Sequence, residues 1–294
     1  MIGLIIVNKP LGITSHDVVQ TIRKQARIRR VGHTGTLDPL ATGVLLLLLG
    51  PATRLAQFVT TERKSYRAVI RLGEVTTTYD AEGEVTARHP VQVTRAAVAE
   101  ALARFQGPQS QIPPMYSAIK IEGQTLYKLA RQGQEIERPP RDVHFHRLEL
   151  RDWAAPDATV TVDCSAGTYI RSLAHDLGQA LGCGAHLRAL TRTAVGPFVL
   201  EEAHTLDALA QMAAAGTLSE AVLPPAEALR GTPQVRLDAA QEQRVRHGQA
   251  IAPPGEYDAA RLSALDAAGR LVAVLIPQDN GLWRPKVVLP QEAI

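Results

Sequence analysis

The sequence predicts an α+β fold, with a mixed and largely antiparallel sheet and a small β-rich piece at the C-terminal end. Three observations lead there. Strand and helix patterns follow one another without a regular βαβ alternation, which argues against a doubly wound parallel sheet. Tyr66, Ala68, Ile70 and Leu72 alternate with Arg67, Val69 and Arg71, the pattern of a strand buried on one face. Past Leu229-Arg230-Gly231-Thr232-Pro233, short apolar runs separated by Gly, Pro and Asp-rich turns replace the earlier patterns.

The elements follow in order. Met1-Ile-Gly-Leu-Ile-Ile-Val-Asn-Lys9, a short apolar run with no basic region before it, reads as a strand, not a signal peptide. Thr14-x-x-Asp17 is a capping box, and Val18, Val19, Ile22 and Ala26 follow at helical spacing. Arg23, Lys24, Arg27 and Arg30 decorate the outer side and end of that helix. The run Val44–Leu49 is too short to span a bilayer. Thr94 opens a helix through Val98, Ala101, Leu102 and Phe105, with Gly107-Pro108 as its stop. The strand Val160–Cys164 runs through the turn Ser165–Thr168 into a helix with Ile170, Leu173, Ala174, Leu177 and Leu181 on one face and Gly182 near its end. The last apolar runs, Leu262–Leu265, Leu271–Leu275 and Val287–Leu289, suggest a small barrel. The expected division is 1–230 and 231–294.

With 294 residues, 45% of them hydrophobic, the chain can bury a sizeable core in one large domain plus a small one. Two cysteines, Cys164 and Cys183, form no disulfide framework and fit a reducing compartment. His144 and His146 share a strand face but lack a third ligand at sensible spacing, so they read as strand surface and no metal is expected. A soluble, cytoplasmic monomer without a membrane partner is the expectation. The net charge is only +3, but residues 1–71 carry eleven Lys/Arg against three acids, a net of +8 that leaves −5 for the remainder. Such asymmetry suits a polyanion-binding face in the first quarter of the chain, with a merely solvated basic surface as the bland alternative.

The densest punctuation is Gly32-His33-Thr34-Gly35-Thr36-Leu37-Asp38-Pro39-Leu40-Ala41-Thr42-Gly43. Its glycines and proline force a shaped loop, and Asp38 is its single acid. Asp38 could cap a turn before Pro39, or the loop could hold a carboxylate against a substrate. The Gly-Thr-Leu echo of aspartyl-phosphate phosphotransferases is set aside. There the acid precedes the Gly-Thr, and no carboxylate pair suited to Mg²⁺ accompanies this loop.

Gly35-Thr-Leu-Asp38-Pro-Leu-Ala-Thr-Gly43 resembles the active-site loop of the TruB family of tRNA pseudouridine-55 synthases. Four further blocks match in the family's order. Val7-Asn-Lys9-Pro10-Leu-Gly-Ile-Thr-Ser15-His-Asp-Val-Val resembles its N-terminal signature, and Lys64-Ser-Tyr66 its Lys-x-Tyr block. Gln111-Ile-Pro-Pro114-Met-Tyr116-Ser-Ala-Ile-Lys120, with Tyr127, Ala130-Arg131 and Gly133, resembles the inserted thumb that clasps the tRNA, here about 108–143. Cys164-Ser-Ala-Gly-Thr-Tyr169-Ile-Arg171-Ser-Leu resembles the block that carries the arginine partner of the catalytic acid. The blocks span roughly residues 5–198. One departure is visible: Leu190-Thr191-Arg192-Thr193 stands where the family reads Leu-Arg-Arg-Thr, which puts a phosphate contact at 191 in doubt.

The resemblance implies a pseudouridine synthase fold and the isomerisation of uridine 55 in the T stem-loop of tRNA, without a cofactor. It implies Asp38 as the catalytic carboxylate, by addition at C1′ or proton abstraction at C2′, and Arg171 as its partner. By itself Arg171 reads as an ordinary arginine in a first helical turn, and Tyr66 as core. The resemblance instead gives Tyr66 the target base to stack on and the C5 proton to relay. It places Tyr169 and Leu190 against the base, and His33 at the space the extruded base vacates. Lys9 supports the loop or touches substrate backbone. Residues 231–294 resemble a PUA-type RNA-binding module. A non-catalytic RNA-binding protein on the same scaffold is the rival reading, against which the set Asp38, Tyr66 and Arg171 speaks.

Overall fold

The computed structural model describes residues 1–59, 63–117, 119–121, 123–134 and 136–291. Glu62, counted among the acids above, lies outside them, as do positions 118, 122 and 135 of the expected insertion. The main elements in chain order are β1 (Gly3–Lys9), α1 (Ser15–Ala26), β2 (Val31–His33), β3 (Ala41–Leu49), β4 (Lys64–Leu72), α2 (Arg95–Ala103), β5 (Gly107–Gln111), β6 (Arg141–Ala154), β7 (Asp157–Cys164), α3 (Ile170–Ala180), β8 (Ala185–Val195), α4 (Leu206–Ala215), β9 (Gln234–Arg236), α5 (Ala239–Arg246), β10 (Leu262–Leu265), β11 (Leu271–Pro277) and β12 (Trp283–Val288). They gather into two compact units. The first holds Met1–Asp38, Val44–Thr61 and Pro197–Ile294, and the second Pro39–Gly43 and Glu62–Gly196.

In the first unit β1 lies between β3 and a short parallel strand, His204–Thr205, while β2 pairs antiparallel with β3 from Val31↔Leu49 to His33↔Leu47. Both β1 and Val44–Leu49 of β3 are almost wholly buried, which explains why each reads as a continuous apolar run rather than an alternation. The expected capping box is present: Asp17 N–H donates to the Thr14 hydroxyl at 3.1 Å, and Thr14 N–H donates to the Asp17 carboxylate at 2.9 Å. A cap of this kind stabilises a helix by about 1 kcal/mol. It starts α1 so that Val18, Val19, Ile22 and Ala26 face the core.

The C-terminal strands make a sheet of their own in the order β9-β10-β11-β12, parallel at the first pair and antiparallel after it. Val235, Val245, Ile251, Leu262, Leu275 and Trp283 close its hydrophobic core. Side chains from the N-terminal part of the same unit touch this module. Arg54 donates to the Val288 carbonyl at 2.6 Å, and the Arg261 guanidinium sits 5.8 Å above the Phe58 ring. The grouping by compactness is therefore a different partition from the sequence division at 230/231.

In the second unit the order is Ala41–Gly43, β8, β4, β7, β6, β5, parallel at the first pair and antiparallel throughout the rest. α3 packs on β8 and β4, and α2 on β6. α2 ends sooner than its pattern suggests, because the chain turns at Arg104, and Phe105 donates to the Leu102 carbonyl at 3.0 Å. Gly107 and Pro108 are the first residues of β5 instead of a mere helix stop. β5 pairs with the start of β6 from Gly107↔Phe145 to Gln111↔Arg141, so the excursion between them is 112–140. It carries a two-stranded hairpin, Lys120–Ile121 with Gln124–Thr125, and a short helix, Leu126–Arg131. No helix among the described residues is long and apolar enough to cross a membrane.

Candidate active site

The acid loop begins where β2 ends at His33, half-buried and in register with Leu47. Thr34 is buried, and its N–H continues the ladder to the Leu46 carbonyl at 3.2 Å. The chain then leaves the ladder, and the buried Ser15 catches it at Leu37. The Leu37 N–H donates to Ser15 Oγ at 2.8 Å, and the same hydroxyl donates to the Leu37 carbonyl at 3.1 Å. Asp38 follows directly and is half-buried.

Ser15 is in turn held from behind. Lys9 is completely buried, and its ammonium donates to the carbonyls of Pro10 at 2.9 Å and Ile13 at 2.7 Å. Burying a cation is costly unless its donors are satisfied, and here they tie the turn that delivers Thr14 and Ser15 to α1. Through these bonds the Lys9 side chain braces the turn from which the loop's Ser15 clamp starts.

Tyr66 sits on β4, a strand paired on both sides, opposite Val162 of β7 and Arg192 of β8. The alternation puts Lys64, Tyr66, Ala68 and Ile70 on the buried face. Directly paired residues share a face, so Arg192, 2% exposed, and Leu190, opposite Ala68, belong to the same surface as Tyr66. Tyr66 and Leu190 each keep 7% of their area accessible. Lys64 and Arg192 thus bring two buried cations to the same face of the sheet as the Tyr66 and Leu190 side chains. Gly43 is required here: at φ +100°, a Cβ on it would lie 2.2 Å from the Arg192 carbonyl oxygen. Thr191, the departure from the family pattern, places its hydroxyl 3.0 Å from that of Thr42.

Tyr169 is the N-cap of α3, with no capping bond from its side chain. Its backbone is clamped by the buried Gln111, whose amide accepts from Tyr169 N at 2.8 Å and donates to Tyr169 O at 3.0 Å. Arg171, in the first turn, is 4% exposed and donates to the carbonyls of Tyr116 at 2.7 Å and Thr78 at 3.4 Å. Within its unit it faces the carboxylate of Asp80 at 3.4 Å, a pair only 5% and 4% exposed. Asp80 also accepts from the Thr78 hydroxyl and from Glu82 N at 3.1 Å.

The second unit thus brings Tyr66, Leu190, Tyr169 and Arg171 onto β4, β8 and the start of α3, and the first unit holds Asp38, His33 and Lys9 on one loop and its support. Asp80 joins these residues without having been singled out, and Lys64, Gln111 and Arg192, quoted above only inside longer motifs, lie beside them. Thr77-Thr78-Tyr79-Asp80-Ala81-Glu82-Gly83 reads locally as an ordinary polar turn, so only the buried arginine opposite reveals Asp80. His144 and His146 stack face to face at 4.4 Å on β6, and burial holds the His146 imidazole below its usual range. The described residues contain no group of three or more His, Cys, Asp or Glu placed to hold a metal.

Comparison with known proteins gives concordant matches. The family "TruB family pseudouridylate synthase (N terminal domain)" matches residues 23–170, and "tRNA pseudouridylate synthase B C-terminal domain" matches 171–230. The chain is 47% identical to "tRNA pseudouridine synthase B" of Burkholderia pseudomallei (strain 668), over 98% of this chain and 97% of that one. It is 43% identical to the protein of the same name from Pseudomonas paraeruginosa, over 97% and 94%. Among solved structures it resembles a chain of a Cbf5-Nop10-Gar1 complex, with TM-score 0.75, 29% identity and coverage of 94% and 78%. A chain of an H/ACA RNP bound to a substrate RNA containing 2′-deoxyuridine matches with TM-score 0.76, 26% identity and coverage of 99% and 86%.

Proposed function

We propose that this chain, which belongs to the TruB family of pseudouridylate synthases, converts uridine 55 in the T loop of tRNA into pseudouridine, with Asp38 as the catalytic carboxylate. The observation that carries the reading is the near full-length likeness to relatives named tRNA pseudouridine synthase B. The reaction breaks the bond between N1 and C1′, turns the ring and joins C5 to C1′; C5 loses its proton and N1 takes one up. Nothing is oxidised or reduced and no group is added, so a carboxylate and a base-holding surface suffice.

Asp38 supplies the carboxylate, by attack at C1′ or by proton abstraction at C2′. Arg171 is assigned as its cationic partner, since an adjacent guanidinium keeps a carboxylate ionised. The Tyr66 ring and Leu190 hold the extruded uracil, and the Tyr66 hydroxyl relays the C5 proton. Tyr169 completes the contact, and His33 fills the space left in the tRNA loop. Extrusion costs a few kcal/mol of unstacking. Phosphate contacts offset it, and Arg27, Arg29 and Arg30 at the end of α1 are exposed and without an acidic partner among the described residues. The excursion after β5 and the module at 231–294 are assigned to grip the tRNA.

Incubation with unmodified tRNA tritiated at uridine C5, followed by mapping of the product, tests the proposal. Tritium release with pseudouridine at position 55, abolished in Asp38→Asn at unchanged tRNA affinity, is the expected result. Binding without release in the wild type would favour the rival RNA-binding reading. Undiminished release by Asp38→Asn would remove that residue from the chemistry.

A further inference from the structure

Two consecutive residues of the loop after β4 meet one stripe of α3. Asp80 faces Arg171, and Tyr79 lies on His175, with ring centroids 3.9 Å apart and planes inclined by 16°. Residues i and i+4 of a helix share a face, so both contacts come from the same side of α3.

The backbone at Tyr79 shows what this docking requires. Its φ is +62°, in the left-handed region that suits glycine and disfavours a bulky side chain. Its N–H donates to the Thr76 carbonyl at 3.3 Å and its own carbonyl accepts from Leu187 N at 2.9 Å, while Ala81 N donates to the Leu187 carbonyl at 3.0 Å. The turn therefore sends the Tyr79 ring toward His175 and the next side chain toward Arg171. A glycine would make the turn freely but could not stack. On the other side, His175 Nδ1 is buried without a hydrogen-bond partner among the described residues, and burial keeps the imidazole below its usual range. The ring face is what the fold uses.

We propose that the Tyr79–His175 stack is a positioning device that holds Asp80 against Arg171 and so aims the guanidinium assigned to the catalytic carboxylate. Tyr79 and His175 are positioning residues; neither needs to touch the RNA. The catalytic part of this inference rests on the isomerase reading above, whereas the docking of the loop on α3 does not.

The test uses three variants of the full chain. Tyr79→Gly deletes the ring while suiting the φ of the site, so folding is expected to survive. His175→Ala deletes the other ring, and His175→Phe restores an aromatic face. Turnover of C5-tritiated tRNA should fall about ten- to a hundredfold in the first two with KM nearly unchanged, the scale of a small misplacement of a reacting group. His175→Phe should recover most of it. Amide exchange at Ala81 and Leu187, read in the free protein, should accelerate in Tyr79→Gly and His175→Ala only. Wild-type turnover in either of those variants, or no rescue by Phe, overturns the positioning role. If the wild type releases no tritium the isomerase reading fails, and unchanged exchange in both variants then overturns the docking role by itself.

Discussion

Ser15 holds both backbone polar groups of Leu37, taking its N–H at 2.8 Å and donating to its carbonyl at 3.1 Å, one residue before the lone acid of the loop. One hydroxyl at the start of a helix thereby fixes a loop that the β2–β3 ladder no longer supports. Gln111 does the same for Tyr169 with a side-chain amide, at 2.8 and 3.0 Å. Backbone groups without a ladder partner need such substitutes when buried.

Ser15→Ala should therefore cost stability and turnover together. It leaves both backbone groups of a buried residue unpaired, roughly 1–3 kcal/mol. Urea midpoints should fall accordingly, and pseudouridine formation should slow while tRNA affinity stays. A variant as active and stable as the wild type would show that the clamp is dispensable.

Tyr66→Phe separates stacking from proton relay. The ring stays, so tRNA binding should be nearly normal, while tritium release becomes far slower. If stability drops by more than the roughly 0.5–1.5 kcal/mol of one hydrogen bond, Tyr66 is structural. Full activity would assign the C5 proton to another group.

Gly43→Ala should disrupt the edge of the second unit's sheet. The added methyl would lie 2.2 Å from the Arg192 carbonyl oxygen at a φ of +100°. Backbone strain alone is worth about 1–3 kcal/mol, and the clash adds to it. A chemical-denaturation midpoint equal to that of the wild type would contradict the close approach.

Reversal of Arg27, Arg29 and Arg30 to Glu should weaken tRNA binding and flatten its salt dependence. Each phosphate neutralised on irregular RNA contributes on the order of −0.7 to the log–log slope. An unchanged slope would make the charge asymmetry of the first quarter incidental.

His175 also gives a pH signature of stability. Burial lowers its folded pKa below the ordinary 6.5, so the unfolded chain takes up the proton first. Its contribution is complete above about pH 6.5 and is lost as the pH falls through the depressed folded value. His175→Phe lacks this loss, so the wild type should become less stable relative to the variant as the pH falls from about 7.5 to about 5. The neighbouring Asp176, whose carboxyl is raised by burial, is present in both chains, and to first order its effect drops out of the difference. A difference in midpoints that stays flat with pH would show that the imidazole is not held neutral.

Several local features around the candidate site were legible because their signals are local, while the roles of the residues came from the family resemblance. The lone Asp38 among glycines, the capping box at Thr14 and the period-two face of Tyr66 each need only a few neighbouring residues. Asp80 was not legible: a buried carboxylate in a polar turn looks like any turn acid until its cation is seen. Nor was the burial of Lys9 legible, because the carbonyls of Pro10 and Ile13 that take up its ammonium are backbone groups with no side-chain signature. The stop of α2 was misjudged by a few residues because Gly107-Pro108 also begins a strand, and the pairing with Phe145 and His144 outweighs the helical pattern.

By itself the sequence determined the α+β class, the strand faces, the capped start of α1 and the loop that presents Asp38. Each of these follows from periodicity, capping or turn chemistry within a few residues. Only the tertiary structure decided that Arg192 lies opposite Tyr66, that Asp80 meets Arg171, and that Tyr79 accepts a strained turn to reach His175. The physical reason is that a period of two names the face of a strand but not its partner. Register and the pairing of buried charges are set by contacts between segments distant in the chain, and those contacts exist only once the sheet and α3 have packed.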